Sequence, residues 1–290
     1  FLAPEHGDAH ETTFGDLGVT DAKLEFTNDS AAPSPTWTEI AAAVVKPNTG
    51  TYTWTPVPSA LADLNNTNKV RISQKNPLNE VDTRNASVTD FAILGRLIWT
   101  TPAGAESWGV NTPQTLKFKK KGALQSVDIF YSPTGLEIDY GATPINGVTP
   151  ISISGAPDVN GDYSYSWAIP TNTTLTTGNS GKLKLKAVSP STQASVVGYS
   201  NGFQVKGTVT LVSPDATPVS MIVGGSQVIE WTPFGPITLF KVEYQYNAGA
   251  WTEITPAGGV AGVVSGANKT WTWTNIPNTI SNSVNFRVSD

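Results

Sequence analysis

The 290-residue sequence contains no cysteine, one methionine and two histidines, and only 14% of its residues are charged. The absence of cysteine excludes disulfide bonds and thiolate metal sites. The net charge of −5 provides no basic surface for nucleic acid or for an anionic membrane. No apolar run approaches the ~20 residues that a membrane-spanning helix needs. We therefore expect neither nucleic-acid binding nor membrane insertion.

Helix-forming stretches and targeting signals are also scarce. The first residues, FLAPEHGDAH, have neither the basic region nor the apolar region of a signal peptide. Thr, Ser and Asn are abundant, and the 26 glycines and 21 prolines indicate frequent turns. This composition predicts an exported all-β protein that works outside the cell, at the cell surface.

One sequence cassette occurs near both ends of the chain. It reads KLEF…WTEI…TYTW near the start and KVEY…WTEI…TWTW near the end, and a middle copy reads SVDIFY…YSYSW. In these copies Trp37 corresponds to Trp251, while Trp54, Trp167 and Trp273 correspond to one another. The last three stand about 110 residues apart, whereas solenoid repeats and propeller blades have periods of ~20–50 residues. The repeat therefore predicts an array of whole domains.

Strands with period-two alternation and turn residues between them predict tandem Ig-like antiparallel β-sandwich domains. The repeat places three modules at residues 1–94, 95–206 and 207–290. Aligning the copies predicts that the first module lacks its opening strand and that the third lacks its closing strand. Neither junction contains a Pro-, Ser- or Gly-rich spacer, so we expect bending between modules to be restricted.

The module openings PAGAESWGVNTPQTLKF at 102–118 and PDATPVSMIVGGSQVIEW at 214–231 carry a resemblance. They resemble the Ig-like modules of large secreted and cell-surface proteins of bacteria and archaea. Within that family the chain is most similar to surface-layer (S-layer) proteins, of the planctomycete or anammox type. The middle copy departs from the pattern because Leu136 replaces the cassette tryptophan. The resemblance implies a structural, non-catalytic glycoprotein that self-assembles with copies of itself in a surface lattice.

Two other functions stay open at this stage. The chain would also suit an adhesin or carbohydrate-binding array that contacts glycans, or accessory domains of a secreted hydrolase. Nothing in the sequence predicts an enzyme, because no motif has catalytic spacing and no G-x-S-x-G nucleophile elbow is present.

The tryptophans divide into two predicted groups. Large aromatics anchor sandwich cores, so those on alternating strands are predicted to be buried. Those near loops or strand ends are candidates for sugar-stacking platforms. The predicted core group is Trp54, Trp167, Trp231 and Trp273, and the platform candidates are Trp37, Trp99, Trp108 and Trp251.

Two polar segments are candidate metal sites. The segment DVNGD places oxygen-bearing residues at alternate positions, the spacing used by calcium loops, although no Gly follows them and no Glu stands at the twelfth position. The competing interpretation is a hairpin turn, so we expect no metal and no cofactor, with calcium as the alternative. The N-terminal segment is interpreted as an exposed polar terminus. These candidates are Asp158, Asn160 and Asp162 in the first segment, and His6, Asp8, His10 and Glu11 in the second.

Five Asn-x-Ser/Thr sequons lie in predicted loops or strand edges, where a glycan is sterically allowed. Their asparagines are glycosylation candidates in an exported protein. The five are Asn28, Asn65, Asn85, Asn172 and Asn268.

Overall fold

A computed structural model gives the fold of most of the chain. It is 47% strand and 4% helix, which confirms the all-β prediction. The helices in the described part are single 3-10 turns at Glu137–Asp139, Gly178–Ser180 and Ser191–Gln193. The described residues are 10–13, 21–45, 51–58, 67–76, 84–214 and 220–290.

Among the described residues, the buried apolar side chains form three separate clusters. The first runs from Leu24 to Ile93. The second and largest runs from Leu97 to Val205. The third begins at Ile229 and ends at Ile276. We call the surrounding segments the first, middle and third sandwiches, and the boundaries at residues 94 and 206 stay a prediction.

The middle sandwich consists of two antiparallel sheets. One sheet has the strand order β12-β9-β7, and the other has the order β11-β10-β13-β14. A further strand, β15, pairs in parallel with β8 and closes one side. The strands are β7 (Arg96–Thr101), β8 (Ser107–Gly109), β9 (Pro113–Lys121), β10 (Ser126–Ser132), β11 (Ile151–Ser152), β12 (Tyr163–Ala168), β13 (Lys182–Ser189), β14 (Val197–Tyr199) and β15 (Gln204–Lys206).

The third sandwich repeats this plan as far as its last described strand. One sheet has the order β16-β17-β21, and in the other β18 pairs with β19, β20 and β22. In the described residues no strand pairs with the outer side of β22. The strands are β16 (Thr208–Ser213), β17 (Ser226–Phe234), β18 (Leu239–Tyr246), β19 (Thr252–Glu253), β20 (Val260–Ala261), β21 (Lys269–Thr274) and β22 (Val284–Ser289).

The first sandwich has a two-stranded sheet, β1-β4, and a four-stranded sheet with the order β3-β2-β5-β6. Its cassette strands β2 and β5 pair as β10 and β13 do in the middle sandwich. The strands are β1 (His10–Thr13), β2 (Asp21–Thr27), β3 (Thr38–Val45), β4 (Thr51–Trp54), β5 (Lys69–Asn76) and β6 (Asn85–Ala86).

Alternation in the sequence determines which face of each strand enters the core. In β13 the side chains of Leu183, Leu185 and Ala187 are buried, while Lys182, Lys184 and Lys186 point outward. Successive side chains of a strand point to opposite faces, so this pattern leaves one apolar face and one solvated face. The predicted half-buried strand is confirmed here.

Candidate functional site

The three cassette tryptophans occupy equivalent buried positions, as the sequence predicted. Trp54, Trp167 and Trp273 are all buried. Each ring packs against the aromatic side chain at the same position of the facing strand. The centroid distances are 5.2 Å for Phe26 and Trp54, 5.4 Å for Tyr131 and Trp167, and 4.7 Å for Tyr244 and Trp273. Trp231 is also buried in the third core, which confirms the last member of the predicted core group.

An ion cluster covers the outer face of the first sandwich. Glu25 on β2 is 4% exposed, and its carboxylate accepts a hydrogen bond from Arg71 Nε at 2.6 Å. Lys23 Nζ lies 3.1 Å from the same carboxylate. The Arg71 guanidinium in turn lies 4.4 Å from the centroid of the Trp37 ring. A buried carboxylate requires such partners, because an unpaired charge is costly to remove from water.

The third sandwich repeats this cluster residue for residue. Glu243 is 5% exposed, accepts a hydrogen bond from Arg287 Nε and lies 2.9 Å from Lys241 Nζ. Arg287 stacks on Trp251 with its guanidinium carbon 4.5 Å from the ring centroid. The Arg287 hydrogen bond, followed by that of Lys241, lowers the pKa of Glu243 to about 2. In the first sandwich, burial opposes ionisation of Glu25, yet Arg71 and Lys23 still lower its pKa.

The middle sandwich has a different cluster at this place. Phe130 occupies the glutamate position, and Lys184 stands opposite it on β13. Lys184 Nζ lies 2.6 Å from a carboxylate oxygen of Glu137 and 4.4 Å from the Tyr140 ring centroid. Tyr199 donates a hydrogen bond to Glu137 at 3.0 Å. The hydrogen bond from Lys184, followed by that from Tyr199, lowers the pKa of Glu137, whose carboxylate is largely solvent-exposed.

These contacts change the interpretation of the platform candidates. Trp37 and Trp251 are partly exposed, but an arginine guanidinium covers one face of each ring. Trp99 is partly buried against Phe118, and its Nε1 donates a hydrogen bond to the Gly198 carbonyl at 3.0 Å. Guanidinium stacking on an indole ring is a stabilising contact of ~0.5–1 kcal/mol at exposed sites. In the first and third sandwiches this stacking links the strand that carries the arginine to the loop that carries the tryptophan.

Trp108 was wrongly predicted to be a platform. It is 8% exposed and belongs to the middle core, where its ring lies 4.6 Å from Phe203 and 6.4 Å from Trp167. The error arose because Trp108 is on a three-residue strand beside a turn, which resembles a loop in the sequence. Parallel pairing of β8 with β15 turns its side chain inward instead.

The calcium-loop candidates form a turn in which both aspartates already have partners within the protein. One oxygen of Asp158 accepts the backbone N–H groups of Asn160 and Asp162 at 2.8 and 2.9 Å. Those backbone hydrogen bonds lower the pKa of Asp158. Asp162 is buried and accepts a hydrogen bond from the Thr100 hydroxyl at 2.7 Å. In the described residues no three His, Cys, Asp or Glu side chains are grouped as metal ligands would be.

The N-terminal candidates have only partial structural coverage. His6 and Asp8 lie outside the described residues. His10 and Glu11 belong to β1, whose backbone pairs with β4.

Three glycosylation candidates are exposed in the structure: Asn28, Asn85 and Asn172. The amide of Asn268 donates to Glu230 and accepts from Thr232, both at 2.7 Å, so this exposed side chain already has partners. Asn65 lies outside the described residues. Glycosylation itself stays a prediction.

The junction between the first and middle sandwiches has no spacer. Ile93 is buried in the first core, while Leu94 packs against the second. Gln193, which is 1% exposed, reaches across from the middle sandwich. Its side-chain oxygen accepts the Gly95 N–H at 2.7 Å, and its nitrogen donates to the Ile93 carbonyl at 3.3 Å. The two sandwiches are therefore joined by direct packing and by a buried amide.

The junction between the middle and third sandwiches is equally short. Thr208 donates a hydrogen bond to the Val110 carbonyl at 3.2 Å, and Phe234 packs against the middle core. Gly207 lies against Ile237, and a Cβ on this glycine would approach the Ile237 side chain to 2.6 Å. A side chain at position 207 would therefore require the Ile237 side chain to shift.

Gln193 and the two stacking arginines were not singled out from the sequence. In the first and third copies, a K-x-E segment on one strand is followed by an Arg on a later strand. This repetition could have indicated from the sequence that the two arginines pair with the glutamates. Gln193 lies in a polar loop with no repeated pattern, so only the three-dimensional contact shows its position at a junction.

No protein-family model matches the chain, and no curated protein matches it. Among solved structures, the fibronectin(III)-like modules of Clostridium thermocellum CbhA match with a TM-score of 0.26 and 16% identity, over 70% of this chain and 88% of theirs. The FN1-FN3 domains of chicken CNTN1 match with a TM-score of 0.23 and 13% identity, over 99% and 93%.

A three-domain Ig structure of titin matches with a TM-score of 0.30 and 10% identity, over 99% of this chain and 89% of that one. All three are tandem Ig-like or fibronectin(III)-like domains, the fold class that the strand topology of this chain also shows. No helix in the described part of the chain is long and apolar enough to cross a membrane.

Proposed function

We propose that the chain is a structural, non-catalytic segment of a cell-surface layer or stalk, located outside the cell. The observation that carries this proposal is the construction of the two junctions. Consecutive residues, Ile93 and Leu94, belong to different cores, and Val205 and Val209 likewise belong to neighbouring cores. Junctions without a flexible linker transmit force and fix the spacing between neighbouring sandwiches. A surface layer or stalk requires both properties.

The side-chain clusters support the same function. The repeated Glu–Arg–Trp clusters brace strands, and their charges are satisfied within the protein. The carbohydrate-binding alternative has less support, because two of the partly exposed platform candidates, Trp37 and Trp251, each have one ring face covered by an arginine. Assembly in this proposal occurs between copies of the chain, in an S-layer arrangement.

Small-angle X-ray scattering of the full chain tests the junctions. We expect the profile of a single stiff particle for the wild type. A Gly-Ser spacer inserted between Gly207 and Thr208 should give the broadened distance distribution of a flexible chain, because such linkers behave as random coils. The matched control places the same spacer in the exposed turn after Asn160. A wild-type profile as flexible as that of the junction insertion would contradict the proposal.

Self-association is tested separately, by sedimentation velocity over rising protein concentration and by electron microscopy of concentrated samples. The proposal expects ordered assemblies that the junction insertion weakens and the control insertion does not. A wild-type chain that stays monomeric at the highest concentration reached would contradict the assembly part and leave the stalk function standing.

A further inference from the structure

The middle sandwich has one long and regular edge strand. β12 is at the edge of its sheet and pairs with β9 along its whole length without a register shift. The opposite edge of the same sheet, β7, has a bulge between Trp99 and Thr101. In the other antiparallel sheet the edge strands β11 and β14 have only two and three residues. Bulges and short edge strands prevent edge-to-edge association, and β12 has neither protection.

The composition of β12 also favours pairing with a further strand. Its sequence, YSYSWA, contains no charged residue, no proline and no glycine. Uncharged segments of about six residues with high β-propensity pair readily with one another. Alternate residues of an edge strand direct their backbone N–H and C=O groups away from the sheet. Among the residues that the structure describes, none bonds to these outward groups of β12.

The third sandwich repeats this arrangement. β21 is at the edge of its sheet and pairs with β17 without a register shift, whereas the opposite edge strand, β16, has a bulge between Leu211 and Ser213. β21 carries the sequence TWTWT at 270–274, with its threonines exposed. The open edge is therefore a feature of the repeated cassette strand, and β12 lies well inside the continuously described stretch 84–214.

The side chains of β12 have the same pattern in both chain directions. Tyr163, Tyr165 and Trp167 are partly or fully buried, and Ser164 and Ser166 between them are exposed. Two such strands that run antiparallel around a two-fold axis place serine opposite serine and aromatic opposite aromatic. Cross-strand hydroxyl pairs and aromatic pairs of this kind stabilise a sheet. The partner that this pattern matches is the same strand of a second molecule.

We propose that the outer edge of β12 is a self-association site, at which β12 of a second molecule pairs antiparallel around a two-fold axis centred on Tyr165. Ser164 then lies opposite Ser166 of the second molecule, and Tyr163 lies opposite Trp167 of the second molecule. The two three-stranded sheets become one six-stranded sheet across a self-complementary interface. This inference rests on the proposed function, because it names the strand through which molecules of the chain associate.

The charges beside β12 determine how this association responds to salt. Lys117, Lys119 and Lys121 stand at alternate positions of β9 and point away from the core, and Asp158 lies 3.8 Å from the first of them. In the joined sheet the two lysine rows lie three strand spacings apart, about 14 Å. The Debye length is about 30 Å at 0.01 M salt and about 8 Å at 0.15 M, so salt removes their repulsion. Association through β12 should therefore strengthen as salt rises, whereas association through oppositely charged surfaces weakens.

Sedimentation velocity of full-chain variants tests the register. Ser164→Lys with Ser166→Lys places like charges directly opposite one another across the two-fold axis, so we expect the dissociation constant to rise roughly tenfold. Ser164→Glu with Ser166→Glu should weaken association in the same way. An equimolar mixture of the two variants should restore association, because each lysine then lies opposite a glutamate. The matched control, Val148→Lys with Thr192→Lys, adds the same charge at exposed positions outside β12 and should associate like wild type.

The possible results separate this inference from the proposed function. Equal association of wild type and both β12 variants overturns the β12 site and leaves assembly through another surface standing. Two variants that stay dissociated when mixed, or a wild type whose association weakens as salt rises, also overturn it. A wild type that is monomeric at every salt concentration overturns both this inference and the assembly part of the proposed function, while the scattering test of the junctions is unaffected. Thermal unfolding of each variant verifies that the chain is folded, since exposed serines contribute little to stability.

Discussion

Equivalent positions in the middle and third sandwiches have very different exposures. Val110 is fully buried, whereas Val223, at the matching position, is 46% exposed. Leu185 is buried on β13, and its counterpart Val288 on β22 is only partly buried. Residue type does not explain this, because a valine occupies both positions of the first pair. Val110 is covered at the junction, where its side chain lies beside Gly235 of the third sandwich and its backbone bonds to Lys206 and Thr208, and no such neighbour of Val223 is found among the described residues.

The comparison teaches that burial at the end of a sandwich depends on the sandwich packed against it. The two cores share their central aromatic pair, Tyr131 with Trp167 and Tyr244 with Trp273. Burial of apolar surface contributes ~25 cal/mol per Å², so a side chain that stays partly exposed contributes proportionally less. Matched substitutions in the two sandwiches can therefore separate the contribution of the central pair from that of the junction.

The largest effect is expected from removal of the central tryptophans. Trp167→Ala should lower the free energy of unfolding of the middle sandwich by about 3–5 kcal/mol, as core aromatic deletions do. Trp273→Ala should cost a similar amount, about 3–5 kcal/mol, in the third sandwich, because Trp273 is 7% exposed and Trp167 is 3% exposed, so both rings are buried. Calorimetry, with hydrogen exchange assigning each transition to β12 or β21, measures both.

The neighbouring outward-facing residues provide the controls for this pair. Ser166→Ala and Thr272→Ala lie on the same strands with exposed side chains and should each stay within about 0.5 kcal/mol of wild type. A Trp273→Ala cost below about 1 kcal/mol would contradict the equivalence of the two central tryptophans.

The sequence predicted the parts of this comparison that follow from local pattern. The alternation of apolar and polar residues predicted which side chains of β13 and β22 face the core, and the cassette predicted that the three central tryptophans are equivalent. Neither pattern predicted the burial of Trp108, which depends on parallel pairing with a strand about 100 residues away in sequence. Nor did it give Gln193, whose role depends on a contact across a junction. Long-range contacts of this kind have no signature in a single sequence.

A smaller effect is expected from the matched valines. Val110→Ala removes two buried methyl groups, which at ~0.8 kcal/mol each predicts a loss of about 1.5–2 kcal/mol in the free energy of unfolding. Val223→Ala should change the stability of the third sandwich by less than about 0.5 kcal/mol, as surface substitutions do. Denaturant unfolding followed by tryptophan fluorescence measures the two.

The smallest effect concerns acid stability, where the two sandwiches differ at one strand position. The third has Glu243, and the middle has Phe130 with Glu137 nearby on an exposed turn. Hydrogen bonds from Arg287 and Lys241 lower the pKa of Glu243 in the folded protein to about 2, from an ordinary value of 4.5.

A carboxyl group whose folded pKa is depressed adds stability above its unfolded pKa, and this stability is lost as pH falls through the folded pKa. The third sandwich should therefore lose stability between about pH 4.5 and pH 2. Glu243→Gln should flatten that loss, whereas the matched control Glu137→Gln should change acid stability little, because the Glu137 carboxylate is largely solvent-exposed and exposed ion pairs contribute little. Thermal unfolding between pH 2 and pH 7 measures both variants, and equal acid slopes in wild type and Glu243→Gln would contradict the assigned role of Glu243.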